Sequence, residues 1–128
     1  MKVLVDTNVL FSALIYPDSV PAKALFKTLN EYDAVLCDKN ISEFKEVLQR
    51  KAPQFLPDAE VLLAEMSYDL IPSVSHAEKL IRDAKDQPIL NAAILYGVDV
   101  IITGDKDFLS LKIDRPKCIS ASEFLELY

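Results

Sequence analysis

Apolar positions fall into short runs that stop abruptly at polar residues. Lys2 to Val5 is a valine-rich run that stops at Asp6, and Val98 to Ile102 is a second such run that stops at Thr103-Gly104-Asp105. Each has the length and β-branched content of a buried parallel strand. Between and around them the spacing of apolar residues becomes helical. The pattern predicts helices over Val9–Ile15, Pro21–Leu29, Ile41–Arg50, Ala59–Ser67, His76–Arg82 and Pro88–Tyr96, and weaker strands over Ala34–Cys37, Leu70–Pro72 and Lys117–Ile119. A closing helix follows, capped by Ser120 or Ser122. Such alternation of strand and helix calls for an α/β fold with a mainly parallel sheet. The clearest break is Lys51 to Pro57, where two prolines limit helix on either side; it joins helices within one domain spanning 1–128.

Length and composition narrow the picture. With 128 residues, 51% hydrophobic and 27% charged, the chain has the balance of a globular protein able to bury one core without disulfides or a structural metal. Its two cysteines, Cys37 and Cys118, lie beside apolar residues in strand-like runs, which fits reduced core thiols of a cytoplasmic protein. Asp6 interrupts the N-terminal apolar run too early for a signal peptide, and no run approaches the ~20 residues of a membrane helix.

The net charge of −6 argues against a surface that holds nucleic acid by bulk attraction. That objection weakens if several of the acids surround divalent cations, because two such ions would offset four of the six negative charges. Asp6 follows the first strand, Glu43 lies near the start of the third helix, Asp86 precedes the Pro88 helix, and Asp105 and Asp107 follow the late strand. Residues just past the carboxyl ends of parallel strands converge on one crevice. Two carboxylates ~4 Å apart repel by about 4 kcal/mol at an effective dielectric near 20, and a cluster multiplies the pairs. A hard divalent ion that prefers carboxylate oxygen removes that penalty. Each acid also has a plainer reading: Asp6, Asp86 and Asp105 as helix caps, and Glu43 as a solvent-facing helix residue.

VDTNVL at Val5–Leu10, ISEFKEVL at Ile41–Leu48, RDAKDQPILNAA at Arg82–Ala93 and IITGDKDF at Ile101–Phe108 resemble the four motifs of the PIN-domain ribonucleases, many of which are toxins of toxin-antitoxin pairs. The resemblance spans nearly the whole chain. It implies a three-layer α/β/α sandwich and hydrolysis of RNA phosphodiester bonds with Mg²⁺ or Mn²⁺. It further implies Asp6, Glu43, Asp86 and Asp105 as the catalytic acids, Asp6, Asp86, Asp105 and Asp107 as metal ligands, and Asn8 and Thr103 as polar supports that orient them. Glu43 is preferred to Glu46 and Asp86 to Asp83. The same resemblance implies a protein antitoxin as partner; apolar helix surfaces such as Leu14-Ile15-Tyr16 and Leu25-Phe26 would serve that partner or a homodimer, and the lack of a long apolar run argues against membrane attachment.

Contacts to substrate would need cations, and three groups stand out: Lys39 with Lys45, Lys79 with Arg82 and Lys85, and Lys112 with Arg115 and Lys117. Most such charges are solvated surface. His76 has no ligand partner in sequence. A haloacid-dehalogenase-like phosphatase would need aspartate where Asn8 stands, and a phosphate-cradling loop cannot be built from Gly97 and Gly104 alone. The alternative in another class is a non-catalytic PIN-like module that binds RNA or protein.

Overall fold

The computed structural model describes residues 1–75 and 86–128. The expected helix over His76–Arg82, the basic group Lys79, Arg82 and Lys85, and Asp83 lie outside the described residues. Five strands, β1 (Lys2–Val5), β2 (Asp33–Cys37), β3 (Asp69–Ile71), β4 (Val100–Ile102) and β5 (Lys117–Ile119), form one sheet in the order β3-β2-β1-β4-β5. Every pairing is parallel. The helices are α1 (Thr7–Ile15), α2 (Val20–Glu31), α3 (Asp38–Lys51), α4 (Leu56–Glu65), α5 (Gln87–Leu95), α6 (Lys106–Leu109) and α7 (Ala121–Leu127).

Strand residues alternate between two cores because successive side chains leave a strand on opposite faces. Val3, Val5, Leu36, Val100, Ile102 and Ile119 meet α1, α2, α3, α4 and α7 on one side. Leu4, Val35, Cys37 and Ile101 meet Ile89, Leu90, Ala92 and Ala93 of α5 and Phe108 of α6 on the other. Both faces of β1 and β4 are therefore buried, which is why those strands read as continuous apolar runs. The result is the expected α/β/α layering around a sheet that is parallel throughout.

Element boundaries differ from the sequence reading mainly at helix starts. Helix α3 begins at Asp38, directly after β2, and α1 begins at Thr7, directly after β1. The proline-rich break contracts to a single 3-10 turn at Pro53–Phe55, and α4 starts at Leu56 with proline in its first turn, where a missing N–H does no harm. Ser120 caps α7, accepting from the Glu123 N–H at 3.1 Å. Among the described residues no single helix is long and apolar enough to cross a membrane.

Strand order decides where the site lies. From β1 the chain leaves to β2 on one side, whereas β4 occupies the other side, so the order reverses between β1 and β4. Val5 pairs with Ile102, and the Asp6 N–H donates to the Ile102 carbonyl at 3.0 Å. The residues that follow the two strands, Asp6 and Thr103, consequently stand side by side at this reversal, the place where open parallel sheets bind ligands.

Candidate metal centre

Asp6 is the hub of this edge. Only 6% of it is exposed, yet its carboxylate does not cap α1. The Thr103 hydroxyl donates to Oδ2 at 2.8 Å, and the Asn40 amide donates to Oδ1 at 3.3 Å. Burial pushes the Asp6 carboxyl upward and the negative charge of Asp105 adds to it, while the Thr103 hydrogen bond acts in the opposite sense.

Thr103 ties two acids together. Its fully buried oxygen accepts the Asp105 N–H at 2.9 Å, leaving its single proton for Asp6. Asp105 in turn accepts the Asp107 N–H at 2.8 Å, so it caps α6 while remaining in the cleft. Asp86 occupies the cap position of α5 but makes no side-chain cap bond, and its Oδ2 is buried. The α5 start is held by Val74, whose N–H donates to the Pro88 carbonyl at 3.1 Å and whose carbonyl accepts from the Asn91 amide at 2.7 Å.

A cleft of about 410 Å³ joins these pieces, with Asp6, Glu43, Glu46, Arg50, Asp86 and Asp105 in its walls. Carboxylate oxygens of Asp86, Asp105 and Asp107 lie within 4.8 Å of one another. Asp6 is not one of those three; it borders them across the cleft. The donors are of the kind a hard divalent cation takes, since such an ion prefers carboxylate oxygen; two oxygens each about 2.1 Å from it lie at most about 4.2 Å apart, so the three side chains would have to draw slightly together around it. Neither cysteine belongs to the group, and burial lifts both thiols to about 11, which keeps them protonated.

Glu43 faces Asp6 from α3. Its Oε2 accepts from the Thr7 hydroxyl at 3.3 Å, and partial burial raises its carboxyl, with Lys39 pulling down and Asp6 pushing up. Glu46, set aside in favour of Glu43, lines the same cleft one turn further on.

The remaining candidates fall in different places. Asn8 is exposed on the cleft wall, and the amide that holds Asp6 is that of Asn40, from the first turn of α3. Of the basic groups noted in the sequence, Lys45 pairs with Glu60 at 3.1 Å, and Arg115 pairs with Asp99 at 2.9 Å beside the opposite, amino-terminal ends of the strands, as solvated surface charges do. Among the described residues, Arg50 is the cation in the cleft lining, a position outside the three basic groups. A stripe at 43, 46, 47 and 50 on α3 is the signal that would have found it, given that Glu43 faces the cleft.

A profile of the PIN domain matches residues 2–107, from the start of β1 to Asp107. The chain belongs to the PIN domain family. This PIN domain is also 32% identical over 120 residues to uncharacterized protein MJ1680 of Methanocaldococcus jannaschii, an alignment covering 88% of the chain and 76% of the relative. Its fold is similar to a chain in the crystal structure of VapBC2 from Rickettsia felis bound to a DNA fragment from the promoter. The TM-score is 0.67 at 12% identity, with 94% of this PIN domain and 98% of that chain covered.

Proposed function

We propose that the protein is a divalent-metal-dependent endoribonuclease that hydrolyses RNA phosphodiester bonds, acting as the toxin of a toxin-antitoxin pair. The observation that carries the reading is the meeting of Asp6, Glu43, Asp86 and Asp105, from four separate segments, in one cleft at the sheet's reversal point. Asp86, Asp105 and Asp107 would hold Mg²⁺ or Mn²⁺, with Asp6 completing the negative wall; when bound, such an ion polarises a phosphate oxygen and acidifies a water.

The chain's own residues set the geometry. Thr103 and Asn40 fix both Asp6 oxygens, and Thr103 also pins the backbone that presents Asp105. Glu43, which lines the same cleft with its carboxyl raised by partial burial, would pass a proton to the oxygen that leaves as the phosphorus–oxygen bond to it breaks and water's oxygen takes its place on phosphorus. The positive charge of Arg50 lets an RNA phosphate approach a wall that is otherwise acidic. A homodimeric, cytoplasmic protein of one PIN domain, controlled by a protein antitoxin, completes the proposal and rests on the motif resemblance and the likeness in fold to the VapBC2 chain.

Purified protein is expected to cleave single-stranded RNA in Mg²⁺ or Mn²⁺. Chelator and Asp6→Asn should each reduce the rate about a hundredfold or more, in keeping with the several kcal/mol such charge stabilisation supplies. Cleavage that survives both treatments would place the activity elsewhere.

A further inference from the structure

A second cavity of about 260 Å³ adjoins the acid cleft on the other side of Asn8, which lines both. We propose that it receives one nucleobase of the RNA, on a nucleotide flanking the phosphodiester held by the acids; the inference rests on the ribonuclease reading above. Thr103, whose hydroxyl holds Asp6, forms part of its wall as well, so a ligand in the cavity is in register with the acids.

Three properties of the lining select a base. Val9, Val20 and Pro21 give apolar surface against which a flat ring can lie, and Val20 is 40% exposed although it is a large apolar residue. Around them Asn8, Ser12 and Ser122 offer an amide and two hydroxyls to the polar edge of a ring, the combination by which single-stranded RNA is usually read. Among the described residues no charged side chain lines the cavity, so a phosphate or a free carboxylate finds no cationic side chain to pair with there. Its volume of about 260 Å³ leaves room for a single base.

The same geometry provides variants that fill the cavity without disturbing the core. Gly104 borders it, has no positive φ, and a Cβ added there meets nothing within 4 Å. Ser122 is exposed in the first turn of α7. Gly104→Ala and Ser122→Phe should therefore fold normally, as circular dichroism and thermal melting would register.

The preferred cut is first mapped in a random-sequence RNA pool; then oligonucleotides with an intact or an abasic nucleotide beside that cut are compared. Wild type is expected to lose about fivefold or more in kcat/KM on removal of the base, the scale of one stacked base. In Ser122→Phe, and to a smaller degree in Gly104→Ala, intact and abasic substrates should converge. In chelator, the methyl resonances of Val9 and Val20 should shift on titration with the four nucleosides in wild type and stay fixed in Ser122→Phe. A wild type that cuts both substrates alike overturns the inference and leaves the ribonuclease standing, with the cavity open to a protein partner's side chain instead. An unchanged preference in Ser122→Phe, with unchanged nucleoside shifts, overturns it equally. Failure of wild type to cut the RNA pool at all removes both readings.

Discussion

Asp6, Asp86 and Asp105 each occupy the cap position of a helix, and their hydrogen bonds separate punctuation from chemistry. Asp105 does cap α6 through the Asp107 N–H, but the carboxylates of Asp6 and Asp86 cap nothing. Substitutions at Asp105 should split accordingly. Asp105→Asn keeps an acceptor for the cap and should weaken divalent-cation binding, measured by calorimetry, with little change in melting temperature. Asp105→Ala should lose the cation equally and about 1 kcal/mol of stability in addition. Thr103 is the more sensitive position, since its hydroxyl serves Asp6 and the Asp105 N–H together. Thr103→Val leaves a partly buried donor and a buried acceptor unmatched and should cost about 1–3 kcal/mol in urea unfolding. Cation affinity should drop about 10–100-fold, as for loss of a residue that orients a ligand. Thr103→Ser should restore most of both.

Helices and strands carry a different lesson. Asp6, Asp86 and Asp105 could be placed from sequence because each follows a strand or precedes a helix, positions that periodicity locates to within a few residues, whereas Glu43 lies inside α3 and was singled out by the motif resemblance. Asn40 was not legible. Three residues past β2 it reads as part of a helix start, and its oxygen indeed accepts the Cys37 N–H at 3.3 Å. That its amide also holds Asp6 depends on β1 and β2 being neighbours, a fact of the sheet and not of either segment. The opposite end of the sheet shows what charges do away from the cleft. Asp99, just before β4, accepts the Lys2 N–H at 2.8 Å from the start of β1 and pairs with Arg115, which precedes β5. The Lys2 hydrogen bond, helped by Arg115 against a burial penalty, holds its carboxyl below 3.8. An acid whose folded pKa is depressed adds stability that is complete above its unfolded pKa and is lost as pH falls through the folded one. Urea melts from about pH 5 down to about pH 2.5 should therefore show Asp99→Asn losing less stability than wild type. The side chain is 34% exposed, so solvent screening keeps the difference within about 1 kcal/mol.

Across the whole molecule, the sheet gathers negative charge that a divalent ion would relieve. Mg²⁺ or Mn²⁺ should accordingly raise the melting temperature, by the equivalent of about 2.7 kcal/mol at a hundred times the dissociation constant. Asp105→Asn should abolish most of that gain, whereas Asp99→Asn, at the far ends of the strands, should retain it; scanning fluorimetry with and without chelator reads both. Equal stabilisation of all three proteins would mean that the ion binds outside the cleft. The chain by itself determined the class of fold and the segments that bring acids to one edge, because burial on both faces of a strand and the stop at its end leave their mark on neighbouring residues. Only the tertiary structure decided that Asn40 supports Asp6, that Arg50 faces the acids while Arg115 does not, and that an uncharged cavity opens beyond Asn8. Those relations join residues distant in sequence through the strand order, and pairwise packing across a sheet leaves no periodic trace in either partner.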